Sequence, residues 1–354
     1  MSKFLKRDIS TIFIMLGNEC NLRCKYCLQH CGELKALPRT INPDIYDFIK
    51  EVAEDSEHLC LNFFGGEPTL YFKQIKEIVE HTKDMKVRYL IFTNGRAITK
   101  EIADYFNEHD FHIAISWDGY NVKETRGYDV FKENRDNIMT LNNMGMSSVL
   151  TSKAYPKDLI KAQEEISEEY YRIHGYYASM NIDLVFDTGS VADELLDIDF
   201  ERLERETYEI MADHIKAMKA NDLLNPLVHS YFMYLQSYIS NGQTYDDVVT
   251  ARCGNGINVY NLDLAGNLYS CHNEFEPVGN IYSAYDAYLR KVIKKDNTIK
   301  RQGCKGCIAF PFCKKGCKLI PNGKRQESYC KIYTAFYGGM IRALIDYGNT
   351  LEVK

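Results

Sequence analysis

Twelve cysteines, unevenly placed, constrain this 354-residue chain more than any other feature. Cys20, Cys24, Cys27 and Cys31 lie near the start, and Cys60 stands alone. No cysteine follows until Cys253, after which Cys271, Cys304, Cys307, Cys313, Cys317 and Cys330 crowd the C-terminal part. A disulfide scaffold would normally be short and secreted. This chain is long, and its start, Met1-Ser-Lys-Phe-Leu-Lys-Arg-Asp8, lacks the apolar core of a signal peptide. Metal binding or catalysis is therefore the leading reading, with two thiol-dependent sites separated by a cysteine-free scaffold. No apolar run approaches the ~20 residues that span a bilayer. A net charge of −6 argues against a broad basic surface for nucleic acid. The expectation is a cytoplasmic protein without membrane or nucleic-acid partners.

The scaffold alternates in character. Runs rich in β-branched and aromatic residues occur at Thr11–Leu16, Leu59–Phe64, Val87–Thr93, Phe111–Ser116, Ser147–Thr151 and Asn181–Phe186. Between them the apolar spacing is helical, as in Phe72, Ile75 and Val79. Six strands alternating with helices imply βα units and a parallel sheet. Roughly 180 residues are too few for eight such units, which typically take ~250, so a partial barrel or open sheet is expected. After Val191 an acidic stretch, Asp193 to Glu201, leads into helical sequence through about Ser240. Asn258–Leu264, the turn at Ala265-Gly266-Asn267, and Leu268–Ser270 read as a β-hairpin. Tyr333, Phe336, Tyr337, Met340, Ile341 and Leu344 mark a closing amphipathic helix.

Cys20-Asn-Leu-Arg-Cys24-Lys-Tyr-Cys27 follows directly on the first strand. Three thiolates on one loop can converge on a metal centre, and soft thiolates suit zinc or an iron–sulfur cluster. A structural zinc would recruit a fourth ligand, for which Cys31 is available. Three ligands alone would leave one iron of a [4Fe–4S] cluster open. Two given offsets are both filled by chance only about once in a thousand at this cysteine content, so the spacing is specific.

The segment resembles the CxxxCxxC motif of radical S-adenosylmethionine (radical SAM) enzymes. The resemblance implies a [4Fe–4S] cluster on Cys20, Cys24 and Cys27 whose open iron chelates SAM. Reductive cleavage of SAM would then give a 5′-deoxyadenosyl radical that takes hydrogen from substrate. It also implies a partial (β/α)6 barrel, in agreement with the six strands counted above. Gly65-Gly66-Glu67-Pro68, after the second strand, is similar to the GGEP motif that contacts the SAM amino group. Glycines let backbone approach a ligand, and a carboxylate accepts from an ammonium. Thr93-Asn94-Gly95 ends the third strand as in many relatives. Ser116-Trp117-Asp118-Gly119 resembles the motif near the SAM ribose. Arg126 matches an arginine that meets the SAM carboxylate, Tyr26 an aromatic beside adenine, and Leu184 a residue of the adenine pocket. Cys60, within an apolar strand, reads as a small hydrophobe.

The later cysteines form a second pattern: Cys253, then Gly266-x4-Cys271, Cys304-x2-Cys307-x5-Cys313-x3-Cys317, and Cys330. Seven thiols can supply one four-thiolate and one three-thiolate centre, and zinc knuckles are the alternative for Cys304 to Cys317. The array resembles the SPASM domain that follows many peptide- and protein-modifying radical SAM barrels. That resemblance implies auxiliary [4Fe–4S] cluster I on Cys253, Cys271 and Cys317, and cluster II on Cys304, Cys307, Cys313 and Cys330. With the SAM-binding cluster this makes three. Some relatives carry another cysteine just before the first of the seven; here an open iron, a water or Asp247 would take its place. The expected organisation is a radical SAM partial barrel over 1–190, a helical bridge over 191–245, and a SPASM domain with its C-terminal helix over 246–354.

SPASM relatives imply a peptide or protein substrate and an external one-electron donor such as a flavodoxin or ferredoxin. Only about ten residues precede the first strand, so no fused leader-recognition domain is expected, and a separate leader-binding protein could serve instead. Anaerobic sulfatase maturases, which make formylglycine, usually have a catalytic aspartate after the auxiliary cysteine that matches Cys271. Here His272 stands there, and imidazole can accept a proton near neutral pH. The departure favours oxidative cross-linking of side chains in a ribosomally made peptide, with formylglycine formation as the alternative. A zinc-stabilised binding module is the non-enzymatic alternative.

Overall fold

The structure, a computed structural model, describes residues 9–29, 37–241, 253–301 and 303–348. Cys31 and Asp247, singled out from the sequence, lie outside the described residues. The chain divides into two compact units. The first comprises Met1–Trp117, Arg126–Gly145 and Cys253–Asp296; the second comprises Asp118–Thr125, Met146–Arg252 and Asn297–Lys354.

The first unit is built on parallel strands. These are β1 (Thr11–Met15), β2 (Leu59–Phe64), β3 (Val87–Thr93) and β4 (His112–Ser116), each pairing in parallel with the next. Alternation along the strands sorts side chains onto two faces. Ile12, Ile14, Leu61, Phe63, Ile91 and Ile113 are fully buried on one face. Helices follow the first three strands at Asp44–Asp55, Phe72–Thr82 and Lys100–Glu108, and each buries an apolar stripe. Each such isoleucine or phenylalanine contributes about 1.5–3 kcal/mol on burial. The other face carries Phe13, Phe64 and Phe92, which are only partly buried.

The expected hairpin forms as β7 (Val259–Asp263) and β8 (Asn267–Tyr269), antiparallel, with a short β9 (Gly279–Asn280) beside it. Asp263 is fully buried and ties the turn by accepting from the Ala265 and Asn267 amides and the Tyr269 hydroxyl at 2.8–3.0 Å. No local pattern announces the other partner of β7, which pairs in parallel with β1 in the register Phe13 to Asn261. That pairing brings Cys253–Asp296 into the N-terminal unit.

In the second unit, most of β5 (Met144–Leu150) lies beside β6 (Ser179–Leu184). All six strands expected from the sequence before Val191 are therefore present. Helical sequence after the acidic stretch forms helices Phe200–Ala220 and Pro226–Asn241. Its acidic approach plays a structural part, since the Asp199 carboxylate accepts from the Arg202 amide at 2.9 Å and caps the first helix. The closing helix, Lys324–Gly348, buries Ile332, Phe336 and Met340. No helix among the described residues is long and apolar enough to cross a membrane.

Candidate functional site

Parallel strands deliver their C-terminal ends, and the loops that follow, to one edge of a sheet. The loop after β1 carries Cys20, Cys24 and Cys27, all half-buried. It is joined directly to the loop after β2. The Gly66 amide donates to Gly17 O at 2.9 Å and the Glu67 amide to Glu19 O at 2.8 Å. This approach leaves no room for side chains: a Cβ on Gly65 would stand 2.3 Å from Gly17 O, and one on Gly66 2.2 Å from Glu19 O. The sequence assigned that freedom to a ligand; in the fold the two glycines use it against the cysteine loop. The Tyr71 hydroxyl accepts from the Glu19 amide at 3.1 Å and secures the same contact.

Glu67 extends the connection to β3. It is 1% exposed, and its Oε1 accepts from the Thr69 amide and from the Thr69 and Thr93 hydroxyls at 2.6–3.0 Å. Its Oε2 accepts from the Asn94 amide at 2.8 Å. Burial pushes the Glu67 carboxyl up, while these hydrogen bonds pull it down. Pro68 opens the short turn Pro68–Tyr71, which Glu67 caps. Asn94 continues the chain of contacts, donating from Nδ2 to Asn21 Oδ1 at 2.8 Å and, weakly, to Cys20 Sγ at 3.9 Å. The Leu22 amide points at the same sulfur, 3.4 Å away. Donors aimed at a sulfur suit a thiolate bound to iron, because they relieve its negative charge. The three thiols, with their loop held from two sides, therefore fit an iron–sulfur centre.

Further residues singled out from the sequence collect nearby in the same unit. The Arg126 guanidinium lies over the Tyr26 ring at 5.2 Å, and Ser116 ends β4. His272 stacks on Phe13 with centroids 4.3 Å apart and meets Phe64 edge-on at 4.6 Å. Gln29 Nε2 holds the His272 carbonyl at 3.2 Å. His272 is thus packed among rings of the open face. Sequence reasoning passed over Asn62 and Asn261, which flank Phe13 in one register row across β2, β1 and β7. Both are buried, and neither Oδ1 has a hydrogen-bond partner among the described residues. An amide inside an apolar strand was the available signal. Cys60, opposite Thr11, is half-buried, and burial raises its thiol.

The second unit holds the remaining residues. Asp118 is 1% exposed, accepting from the Thr125 hydroxyl at 2.6 Å and the Val149 amide at 2.9 Å. Leu184 ends β6, buried. Cys304, Cys307, Cys313 and Cys330 lie within electrostatic reach of one another. Burial first, and the neighbouring thiols next, push Cys304 and Cys330 up and Cys313 to about 12. A Tyr329 hydrogen bond partly offsets the rise at Cys313. Among the described residues no three His, Cys, Asp or Glu side chains close around a single-ion position. Four thiols close enough for each to disfavour its neighbours' thiolate form suit a [4Fe–4S] cube, which spreads its ligands over four irons and takes up their negative charge. Cys253, exposed, and Cys271, buried, belong to the first unit, and Cys317 to the second.

The profile of the Radical SAM superfamily matches residues 14–153. A cysteine-type anaerobic sulfatase-maturating enzyme of Clostridium novyi (strain NT) is 22% identical, over 98% of this chain and 99% of its own. The solved structure of native anSMEcpe with bound AdoMet superposes with a TM-score of 0.72 at 19% identity, covering 96% of this chain and 99% of that one. Streptococcus suis SuiB bound to its precursor peptide SuiA gives a TM-score of 0.63 at 15% identity, over 92% and 75% of the two chains. The cysteine-rich C-terminal region accords with a SPASM-like domain. With these findings the reading as a non-enzymatic zinc module falls. Residues 14–153 are a radical SAM domain, and the chain is a radical SAM enzyme homologous to anaerobic sulfatase-maturating enzymes.

Proposed function

We propose that this enzyme oxidatively modifies a ribosomally made peptide, joining side chains by a cross-link. The sulfatase-maturating enzyme that matches over nearly the whole chain, and the SuiB structure bound to its precursor peptide, support a peptide or protein substrate, and one feature of this chain favours the cross-link over formylglycine. His272 follows Cys271 where maturases usually carry an aspartate, and its ring is held between Phe13 and Phe64. The aromatic packing fixes the imidazole plane, and with it the in-plane directions from which His272 would take a proton.

Cys20, Cys24 and Cys27 would hold the SAM-binding cluster. Gly65, Gly66, Glu67, Pro68, Thr93, Asn94, Ser116, Asp118, Tyr26, Arg126 and Leu184 would shape the SAM site. When bound, cluster and SAM supply one-electron cleavage and hydrogen abstraction from the peptide. The residues keep the loops in place: Glu67 locks the second loop to the third, and the glycines seat the first on the second. Arg126, placed over Tyr26, offers a fork for a carboxylate. Cys304, Cys307, Cys313 and Cys330 would hold auxiliary cluster II, and Cys253, Cys271 and Cys317 auxiliary cluster I. Electrons would come from a flavodoxin or ferredoxin, and a separate leader-binding protein could present the peptide.

Anaerobic turnover with a candidate precursor peptide, followed by mass spectrometry, tests the proposal. Loss of two hydrogens from the peptide is the expected result. Exchange of a cysteine sulfur for oxygen would instead assign formylglycine formation. Full turnover by His272→Ala would remove the base role.

A further inference from the structure

Arg301 acts electrostatically on Cys304 and Cys330, is 4% exposed, and belongs with the four cysteines to the second unit. All three guanidinium nitrogens donate. Nη1 donates to Lys315 O at 2.6 Å, while Nη2 donates to Ile320 O at 2.6 Å, to Cys317 O at 2.9 Å and to Asn297 Oδ1 at 3.5 Å. Nε donates to Asn322 Oδ1 at 3.1 Å.

The loop it grips is strained. Between Cys313 and Cys317 the backbone takes positive φ three times in succession: Lys314 at 45°, Lys315 at 69° and Gly316 at 81°. Left-handed residues other than glycine cost roughly 1–2 kcal/mol each, and such a run persists only where its surroundings enforce it. Arg301 is a large part of that enforcement, because it takes carbonyls from within the run and just beyond it. Gly316 has no Cβ because one would stand 2.8 Å from both Arg301 Nη1 and Tyr329 Cε1.

Charge supplies the second observation. Among the described residues, the five acceptors of Arg301 are neutral oxygens. A buried cation with only neutral partners is costly unless a negative charge stands nearby. Its field reaches the Cys304 and Cys330 thiols. A four-thiolate [4Fe–4S] cluster carries net negative charge in either oxidation level it cycles through, and would be that counter-ion.

We propose that Arg301 is a positioning residue for the auxiliary cluster on Cys304, Cys307, Cys313 and Cys330, holding the Cys313–Cys317 turn in its left-handed form and supplying the buried positive charge that sets the cluster's potential. The inference rests on the auxiliary-cluster reading given above. Its function is to make that cluster easier to reduce, since a fixed cation beside a cluster favours the more negative, reduced level.

The test uses the full chain, anaerobically reconstituted, in three forms: the natural protein, Arg301→Met and Arg301→Lys. Iron and acid-labile sulfide are counted, and the cluster signals are followed by EPR during potentiometric titration. The natural protein should hold about twelve irons, three clusters of four. Arg301→Met should fall toward about eight while keeping the cluster of Cys20, Cys24 and Cys27, or retain all three with one auxiliary potential shifted to more negative values. Arg301→Lys, which keeps the charge but not the planar fork, should lose iron yet leave the potential of what remains near the natural value. If Arg301→Met fails to fold, Arg301→Lys decides by the same two readouts. Full iron with unchanged potentials in whichever variant folds would overturn the inference and leave the auxiliary clusters standing. A natural protein holding one cluster only would overturn both.

Discussion

Gly66 shows most directly how single residues place the chemistry. Its missing Cβ lets the second loop reach Glu19 O, so Gly66→Ala should push the cysteine loop away. The expected cost is about 1–3 kcal/mol, with loss of iron from that loop. Thermal unfolding and iron content of the reconstituted protein check it. Thr93→Val at Glu67 removes the 2.6 Å hydroxyl donor and leaves a buried carboxyl one partner short. A loss of about 1–3 kcal/mol is expected, with weaker SAM binding because the Asn94 loop is tied through the same carboxyl. Calorimetric titration with SAM measures the second effect. At this scale the sequence was informative about identity but not about partners. GGEP was legible as a motif, while the role of Glu67 between Thr69, Thr93 and Asn94 was not, because residues 26 and 27 positions away leave no local periodicity.

Elements bring in a pH response. His214, on helix Phe200–Ala220, lies 3.3 Å from His229 on helix Pro226–Asn241 and packs against Phe232. Burial, then the charge of His229, lowers His214 from 6.5 to about 4. A lowered folded value means that the unfolded chain binds the proton first as pH falls. Stability is therefore fully present above about pH 6.5 and is lost as pH drops toward 4, by on the order of 1–3 kcal/mol. His214→Gln should flatten the dependence of the melting temperature between pH 7 and pH 5, provided unfolding of this unit is followed. The elements themselves were the most legible level. All six β-rich runs became strands and the hairpin turned where Ala265-Gly266-Asn267 stands, since alternation and turn residues are local signals.

For the whole molecule, Cys24→Ala in the natural background should abolish 5′-deoxyadenosine formation while leaving about eight irons, those of the two auxiliary clusters proposed above. Product analysis by chromatography, beside iron counting, checks both halves, and loss of all iron would contradict separate sites. This separation was already visible in the uneven spacing of twelve cysteines, because ligand sets on short loops are written in consecutive residues. The order of strands and helices was visible for the same reason. Tertiary structure alone decided the rest: that β7 pairs with β1 and carries Cys253–Asp296 into the N-terminal unit, that His272 packs on Phe13 and Phe64, and that Arg301 is buried among neutral oxygens within electrostatic reach of Cys304 and Cys330. These are contacts between residues far apart in the chain, and a pairing made by burial and backbone hydrogen bonds has no signature in the spacing of either partner.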